Sequence, residues 1–155
     1  MALLRALRTR GHTPARERAV AAFSRLGEQA MLWLAICAVG AVVDRSQRPV
    51  YKRAARTIVG VYAVNQLLKF AVRRHRPRLE GLPPLAGTLS GLSYPSAHAA
   101  TSVAAARMLS PALPATPLYA LAVGLALTRP YLGLHYPSDI LAGAALGAGL
   151  AELAS

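Results

Sequence analysis

The chain has 155 residues, enough for one domain. Apolar residues make up 54% and charged residues 15%, yet 18 Lys and Arg stand against 6 Asp and Glu, for a net charge of +12. Cations set between apolar runs argue against a nucleic-acid module, which would spread them over a soluble face, and point to a membrane surface or a phosphorylated substrate. The single cysteine, Cys37, lies inside an apolar run, so no intrachain disulfide can form.

Residues 1–12 are basic and read as a mobile segment. From Pro14 to Leu26, Val20, Phe23 and Leu26 recur at helical spacing among Arg16, Arg18 and Arg25, the pattern of an amphipathic helix on an anionic surface. Arg16, Glu17, Arg18 and Arg25 interrupt any signal-peptide core, so insertion is expected to rely on later spans. Gly27–Val43 reads as a first span, and Asp44–Arg56 as a hydrophilic connection. Thr57–Val72 reads as a second span with Lys69 near its end. Arg73–Tyr94 is a polar loop rich in Pro and Gly. Pro95 is expected to open an Ala-rich helix to about Leu109, Ser110–Pro114 to turn, and Thr116–Thr128 to form a fourth span. Ile140–Ala154 is the last helix.

The expected fold is all-α: a single integral membrane helical bundle over residues 1–155. It has about five transmembrane helices plus an N-terminal amphipathic helix within the basic arm 1–26. Several spans fall short of the roughly 20 residues a bilayer demands, which suits short, tilted helices. Gly143 and Gly147, with Ala97, Ala100 and Ala104, have the small-residue spacing that lets helices approach closely.

Three stretches, all within residues 69–139, carry the chemistry. The first runs from Lys69 to Pro77, the second is Pro95-Ser96-Ala97-His98, and the third runs from Arg129 to Asp139. Alternating helix directions put all three at one end of the bundle. Lys69 and Arg76 would share a face if their helix continued to Pro77. Ser96, Ala97 and His98 would occupy a first helical turn, where free N–H groups and the helix dipole favour phosphate. Arg129 adds a planar fork for two phosphate oxygens. Asp139, four residues after His135, can accept a hydrogen bond from one ring nitrogen and leave the other unprotonated for attack on phosphorus. His98 can protonate the leaving alkoxide. No cysteine lies near His12, His75, His98 or His135, which argues against a metal site. Taken singly, Arg73, Arg74, Arg78 and His75 need be no more than solvated charges, and Asp139 a helix-start carboxylate. The joint pattern is what argues for a site.

These residues resemble the three-part signature of the type 2 phosphatidic acid phosphatase superfamily: Lys-x6-Arg-Pro, Pro-Ser-Gly-His and Ser-Arg-x5-His-x3-Asp. Ala97 stands at the Gly position and Thr128 at the Ser position. The resemblance implies phosphate binding by Lys69, Arg76, Ser96, Ala97 and Arg129. It implies His98 as general acid, His135 as nucleophile and Asp139 as its orienting carboxylate, with no metal and no cofactor. The implied partners are the bilayer and a lipid phosphate. The basic arm and the stretches Tyr94–Ala99 and His135–Gly143 are similar to phosphatases that act on decaprenylphosphoryl-5-phosphoribose. The motifs do not separate that substrate from a polyprenyl pyrophosphate or phosphatidylglycerophosphate, and a catalytically silent protein that binds anionic lipid is the alternative of another class. The expected location is the plasma or inner membrane, multi-pass. Arginines outside the motifs are more numerous on the active-site side, which leans that side towards the cytoplasm.

Overall fold

The computed structural model describes residues 2–155 and is all-helical. In chain order the helices are α1 (Ala2–Thr9), α2 (Pro14–Leu26), a 3₁₀ turn (Glu28–Ala30), α3 (Met31–Val43), α4 (Arg48–Val72), α5 (Ala97–Leu109), α6 (Ala115–Tyr131) and α7 (Pro137–Leu153). The loop between α4 and α5 contains only isolated bridges, His75 with Leu92 and Leu79 with Leu82.

Helix α5 is the centre of the bundle and packs against α4, α6 and α7. Its composition explains this position. Ala99, Ala100, Ala104, Ala105 and Ala106 are fully buried, so neighbouring backbones close in from several directions. On the facing side of α7, a methyl group at Gly143 would strike the Ser96 carbonyl, and one at Gly147 would strike the Ala100 carbonyl. Arg107 of α5 and Glu152 of α7 form an ion pair at the far end of the same seam. The Trp33 indole N–H donates to Ser102 Oγ at 2.9 Å and ties α3 to α5. Asn65 Nδ2 donates to the Pro95 carbonyl at 3.2 Å and ties α4 to the entrance of α5.

This seam yields a stability prediction. Gly147→Ala overpacks a backbone contact that cannot yield, at a cost of roughly 1–3 kcal/mol. Thermal unfolding in detergent is expected to shift down by several degrees. Gly149→Ala in the same helix meets open space and improves helix propensity, so its midpoint is expected to stay level or rise.

Several boundaries differ from the sequence reading. Residues 2–12 are not a loose arm. Leu4 and Arg8 of α1 are buried, and Arg8 Nη2 donates to the Pro83 carbonyl at 2.7 Å. His12 stacks on Tyr131 with ring centroids 4.0 Å apart. Helix α2 runs Pro14–Leu26 as read, capped by the Thr13 hydroxyl accepting from Arg16 N–H. The expected span Gly27–Val43 is broken, because Gln29 and Ala30 adopt left-handed φ of 51° and 59° before α3 begins. The basic stretch from Arg48 to Arg56 is not a connection but the first turns of α4. A run of charge does not break a helix when Pro sits in its first turn and no Gly or Pro follows within the basic stretch. Only Asp44–Gln47 turn there, with Asp44 Oδ1 accepting from the N–H groups of Ser46 and Gln47.

The outward faces are apolar. Val39, Val42 and Val43 of α3, Val59, Leu67 and Phe70 of α4, Leu127 of α6 and Leu141 of α7 are all exposed. No single described helix is long and apolar enough to cross a bilayer alone. The pair Pro14–Leu26 and Glu28–Val43, bent by 46°, meets the length and composition together.

Candidate active site

The C-terminal ends of α4 and α6 and the N-terminal ends of α5 and α7 meet at one end of the bundle, around a cavity of about 550 Å³. Lys69, Arg76, Ala97, His98, Arg129 and His135 line it, so six of the eight predicted site residues share one space.

Each arrives by its own route. Lys69 sits in the last turn of α4, nearly buried, with Nζ 3.5 Å from the Leu92 carbonyl oxygen. Arg73 then closes α4 in a left-handed conformation, φ 54°. The helix therefore stops short of Pro77, and the expected two-turn relation between Lys69 and Arg76 does not hold. Arg76 reaches the cavity from the loop instead. It is fixed there by Nε donating to the Ser90 carbonyl at 2.9 Å and Nη1 donating to the Leu134 carbonyl at 2.7 Å. Arg129 lies inside α6, which continues past it to Tyr131 rather than ending before it. Its side chain is 5% exposed.

Helix α5 begins at Ala97 and not at Pro95, because Ser96 is its extended N-cap (φ −72°, ψ 116°). Ser96 is fully buried, and its Oγ accepts from Ala99 N–H at 3.5 Å. Its side chain does not line the cavity. The Ala97 and His98 N–H groups belong to the first turn and have no intrahelical acceptor, which leaves them able to bind an anion.

His135 is 2% exposed, in the short connection between α6 and α7. Its Nε2 lies 3.1 Å from Arg76 Nη1. A guanidinium can only donate, so Nε2 is the acceptor and carries no proton in neutral His135. The ring hydrogen then sits on Nδ1, which faces Asp139 Oδ2 at 3.6 Å. Asp139 is fully buried in the first turn of α7. Its Oδ2 accepts from Tyr136 N–H at 2.8 Å and its Oδ1 from Arg74 Nη1 at 2.9 Å. Burial pushes the His135 pKa down to about 4, with Arg76, Arg129 and Lys69 adding to the drop and the Asp139 contact opposing it. Nε2 thus carries no proton at neutral pH, and its lone pair accepts the Arg76 hydrogen.

A pH dependence follows with a fixed sign. Protonation fills the Nε2 lone pair, so turnover is expected to fall as pH drops through about 4, not near the 6.5 of a free histidine. The acid limb of kcat/KM, corrected for ionisation of the substrate phosphate, measures this.

Some residues in and around the site were not singled out by sequence. Arg74, read as a solvated charge, pairs with Asp139, and its guanidinium lies 4.1 Å from the centre of the Tyr136 ring. Glu28, Gln29, Tyr62 and Gln66 line the cavity beside the cations. Ser24 of α2 touches His98 and Arg129. The one sequence signal for Arg74 was its place beside Arg76, and a lone Ser in a basic helix gives none.

A family model described as the PAP2 superfamily matches residues 51–155, which include every predicted site residue. The chain belongs to the PAP2 superfamily. PAP2 proteins are phosphatases, and this chain is an enzyme of that class. It is 37% identical over 125 residues to decaprenylphosphoryl-5-phosphoribose phosphatase of Mycobacterium tuberculosis (strain ATCC 25618 / H37Rv), across 81% of this chain and 71% of that protein. The fold is that of two solved structures. One is the transmembrane PAP2-type phosphatidylglycerolphosphate phosphatase of Bacillus subtilis (TM-score 0.78, 24% identity, 99% of this chain and 81% of that one). The other is Aquifex aeolicus LpxE (TM-score 0.76, 19% identity, 99% and 92%). In this PAP2 chain α1, α2, the 3₁₀ turn and α3 lie outside the matched residues, yet the 3₁₀ turn lines the cavity with Glu28 and Gln29.

Proposed function

We propose that the protein is a metal-independent lipid phosphatase that works through a phosphohistidine on His135. The observation that carries this is the unprotonated Nε2 of His135, held by Arg76 in a cavity it shares with Lys69, Arg129 and His98. Lys69, Arg76, Arg129 and the N–H groups of Ala97 and His98 hold the phosphate oxygens, with Ser96 shaping that helix start. As Arg76 Nη1 passes from Nε2 to a phosphate oxygen, the freed lone pair attacks phosphorus and forms the N–P bond while the P–O bond to the lipid breaks. The bound phosphate dianion holds a second proton on His98, at Nδ1, and His98 gives that proton to the departing alkoxide. A water then attacks phosphorus, His98 takes a proton from it, and the N–P bond breaks to release phosphate. His98 Nε2 lies 3.0 Å from the Ser24 carbonyl, which can only accept, so Nδ1 is the nitrogen that exchanges the proton. Asp139 holds the Nδ1 hydrogen of His135 throughout. The cations stabilise charge on the equatorial oxygens.

The substrate is a polyprenyl-linked phosphate of the decaprenylphosphoryl-5-phosphoribose type, a reading supported by the 37% identical relative. The whole chain is one membrane-embedded domain in the plasma or inner membrane. Helices α3 to α7 span as five short, tilted helices, and α2 lies at the surface. The apolar outward faces support this. With five spans the N-terminus shares the active-site side, and the arginines of α1 and α2 lean that side towards the cytoplasm.

The test is phosphate release by detergent-purified protein with chelator present. The panel is a prenyl-phosphoryl-ribose 5-phosphate, a prenyl pyrophosphate, phosphatidylglycerophosphate and phosphatidic acid. Release from the first above the rest is expected, inhibited by vanadate. Preference for the second or third would move the substrate, and no release from any would favour a lipid-binding protein. Loss of activity to chelator, restored by added metal, would sink the metal-free mechanism.

A further inference from the structure

Arg129 has an unusual supply of partners. Its guanidinium is nearly buried, yet among the described residues Ser24 Oγ, at 2.7 Å, is its only hydrogen-bond acceptor, and its Nε has none. Arg76, by contrast, is held by two backbone carbonyls. Ser24 is 1% exposed and belongs to α2, outside the residues matched by the family.

The hydrogens around Ser24 can be followed. Thr128 Oγ1 lies 2.6 Å from the Leu125 carbonyl and 2.9 Å from Ser24 Oγ. A hydroxyl has one hydrogen, and the carbonyl can only accept, so the Thr128 hydrogen goes to Leu125. The hydrogen between the two hydroxyls is then that of Ser24, whose lone pair receives Arg129 Nη1. A directed chain results, from Arg129 to Ser24 to Thr128 to the Leu125 carbonyl, with both hydroxyl hydrogens used. The backbone of the same residue serves the other side of the site, since the Ser24 carbonyl accepts from His98 Nε2 at 3.0 Å. Gly27, one turn on, admits the His98 ring, because a methyl there would come within 2.7 Å of His98 Cδ2.

We infer that Ser24 is a positioning residue of the phosphatase site, fixing the Arg129 fork by its hydroxyl and the His98 ring by its carbonyl. It touches no reacting atom and acts through Arg129. The inference rests on the phosphatase reading above.

Ser24→Ala removes the anchor of a nearly buried, charged donor and little volume. A loss of about tenfold in kcat/KM is expected, the usual weight of a charge-assisted hydrogen bond. Thr128→Val breaks the chain one step further out and should give a smaller loss in the same direction. The deciding measurement is a double-mutant cycle with Arg129→Lys, read both as kcat/KM and as vanadate affinity, with thermal unfolding in parallel. Non-additivity, with Ser24→Ala adding less than twofold on the Arg129→Lys background, is expected. A loss for Ser24→Ala of less than twofold in wild type, or an equal loss in both backgrounds, overturns the inference. If the wild type releases phosphate from no lipid, the phosphatase reading fails by itself. Vanadate affinity then still decides: weakening of about tenfold by Ser24→Ala, abolished with Arg129→Lys, sustains the role of Ser24, and unchanged affinity removes it.

Discussion

Replacing His135 with alanine is expected to stop phosphate release almost entirely, with a fall in kcat of at least about 10⁴-fold, the scale seen when a covalent nucleophile is removed. Among the described residues His98 is the other histidine of the cavity, and in the proposed mechanism its Nδ1 serves the leaving oxygen and not the phosphorus. Phosphate binding should survive, because Lys69, Arg76 and Arg129 keep their own supports at Leu92, at Ser90 and Leu134, and at Ser24. The variant should therefore still bind vanadate or a non-hydrolysable lipid phosphonate. Calorimetry on the variant, beside phosphate release, separates the two effects. Undiminished release from His135→Ala would falsify the phosphohistidine mechanism.

Asp139→Asn is expected to cost about 10²–10⁴-fold in kcat while leaving substrate affinity within a few-fold, by analogy with amide substitution of the buried carboxylate in hydrolase triads. The argument is one of hydrogens. Asp139 accepts from Arg74 and from Tyr136 N–H and faces His135 Nδ1. An asparagine has one accepting oxygen and one NH₂. If the oxygen serves Arg74, the NH₂ opposes the Tyr136 N–H and the Nδ1 hydrogen. If the NH₂ faces Arg74, two donors collide at that position. The tautomer with hydrogen on Nε2 relieves the clash at Nδ1 but leaves that at Tyr136 N–H, points a hydrogen at Arg76 and removes the attacking lone pair. Side-by-side kcat and KM values check this. Equal losses in both would point to a structural carboxylate that does not orient the nucleophile.

The elements most legible in the sequence were those with a local pattern. Helix α2 showed itself by the helical spacing of Val20, Phe23 and Leu26 after Pro14, and the close α5–α7 seam by Gly143 and Gly147, whereas α7, read from Ile140, begins at Pro137. The meeting of the three motifs was legible too, since it needs only that successive helices alternate in direction. What was not legible depended on distant contacts. Nothing local marks the left-handed pair Gln29 and Ala30, which carry no glycine at the bend. Nothing in Lys69–Pro77 says that Arg73 turns the chain early, so that Arg76 enters from a loop and meets His135. Arg74 and Ser24 were missed for a related reason. Their partners, Asp139 and Arg129, lie 65 and 105 residues away, and a single polar side chain has no period to reveal it.

The enclosure of α5 on most of its surface bears on how this sequence can drift. Positions such as Val59 and Leu141 face outward, and nearly any apolar side chain would serve there. Ala99, Ala100, Ala104 and Ala105 have no such freedom, since each is already as small as a helix former can be without becoming glycine. A saturation library selected for activity should therefore show α5 as a stripe frozen at small residues. A change there would persist only when a facing residue on α4, α6 or α7 shrinks with it.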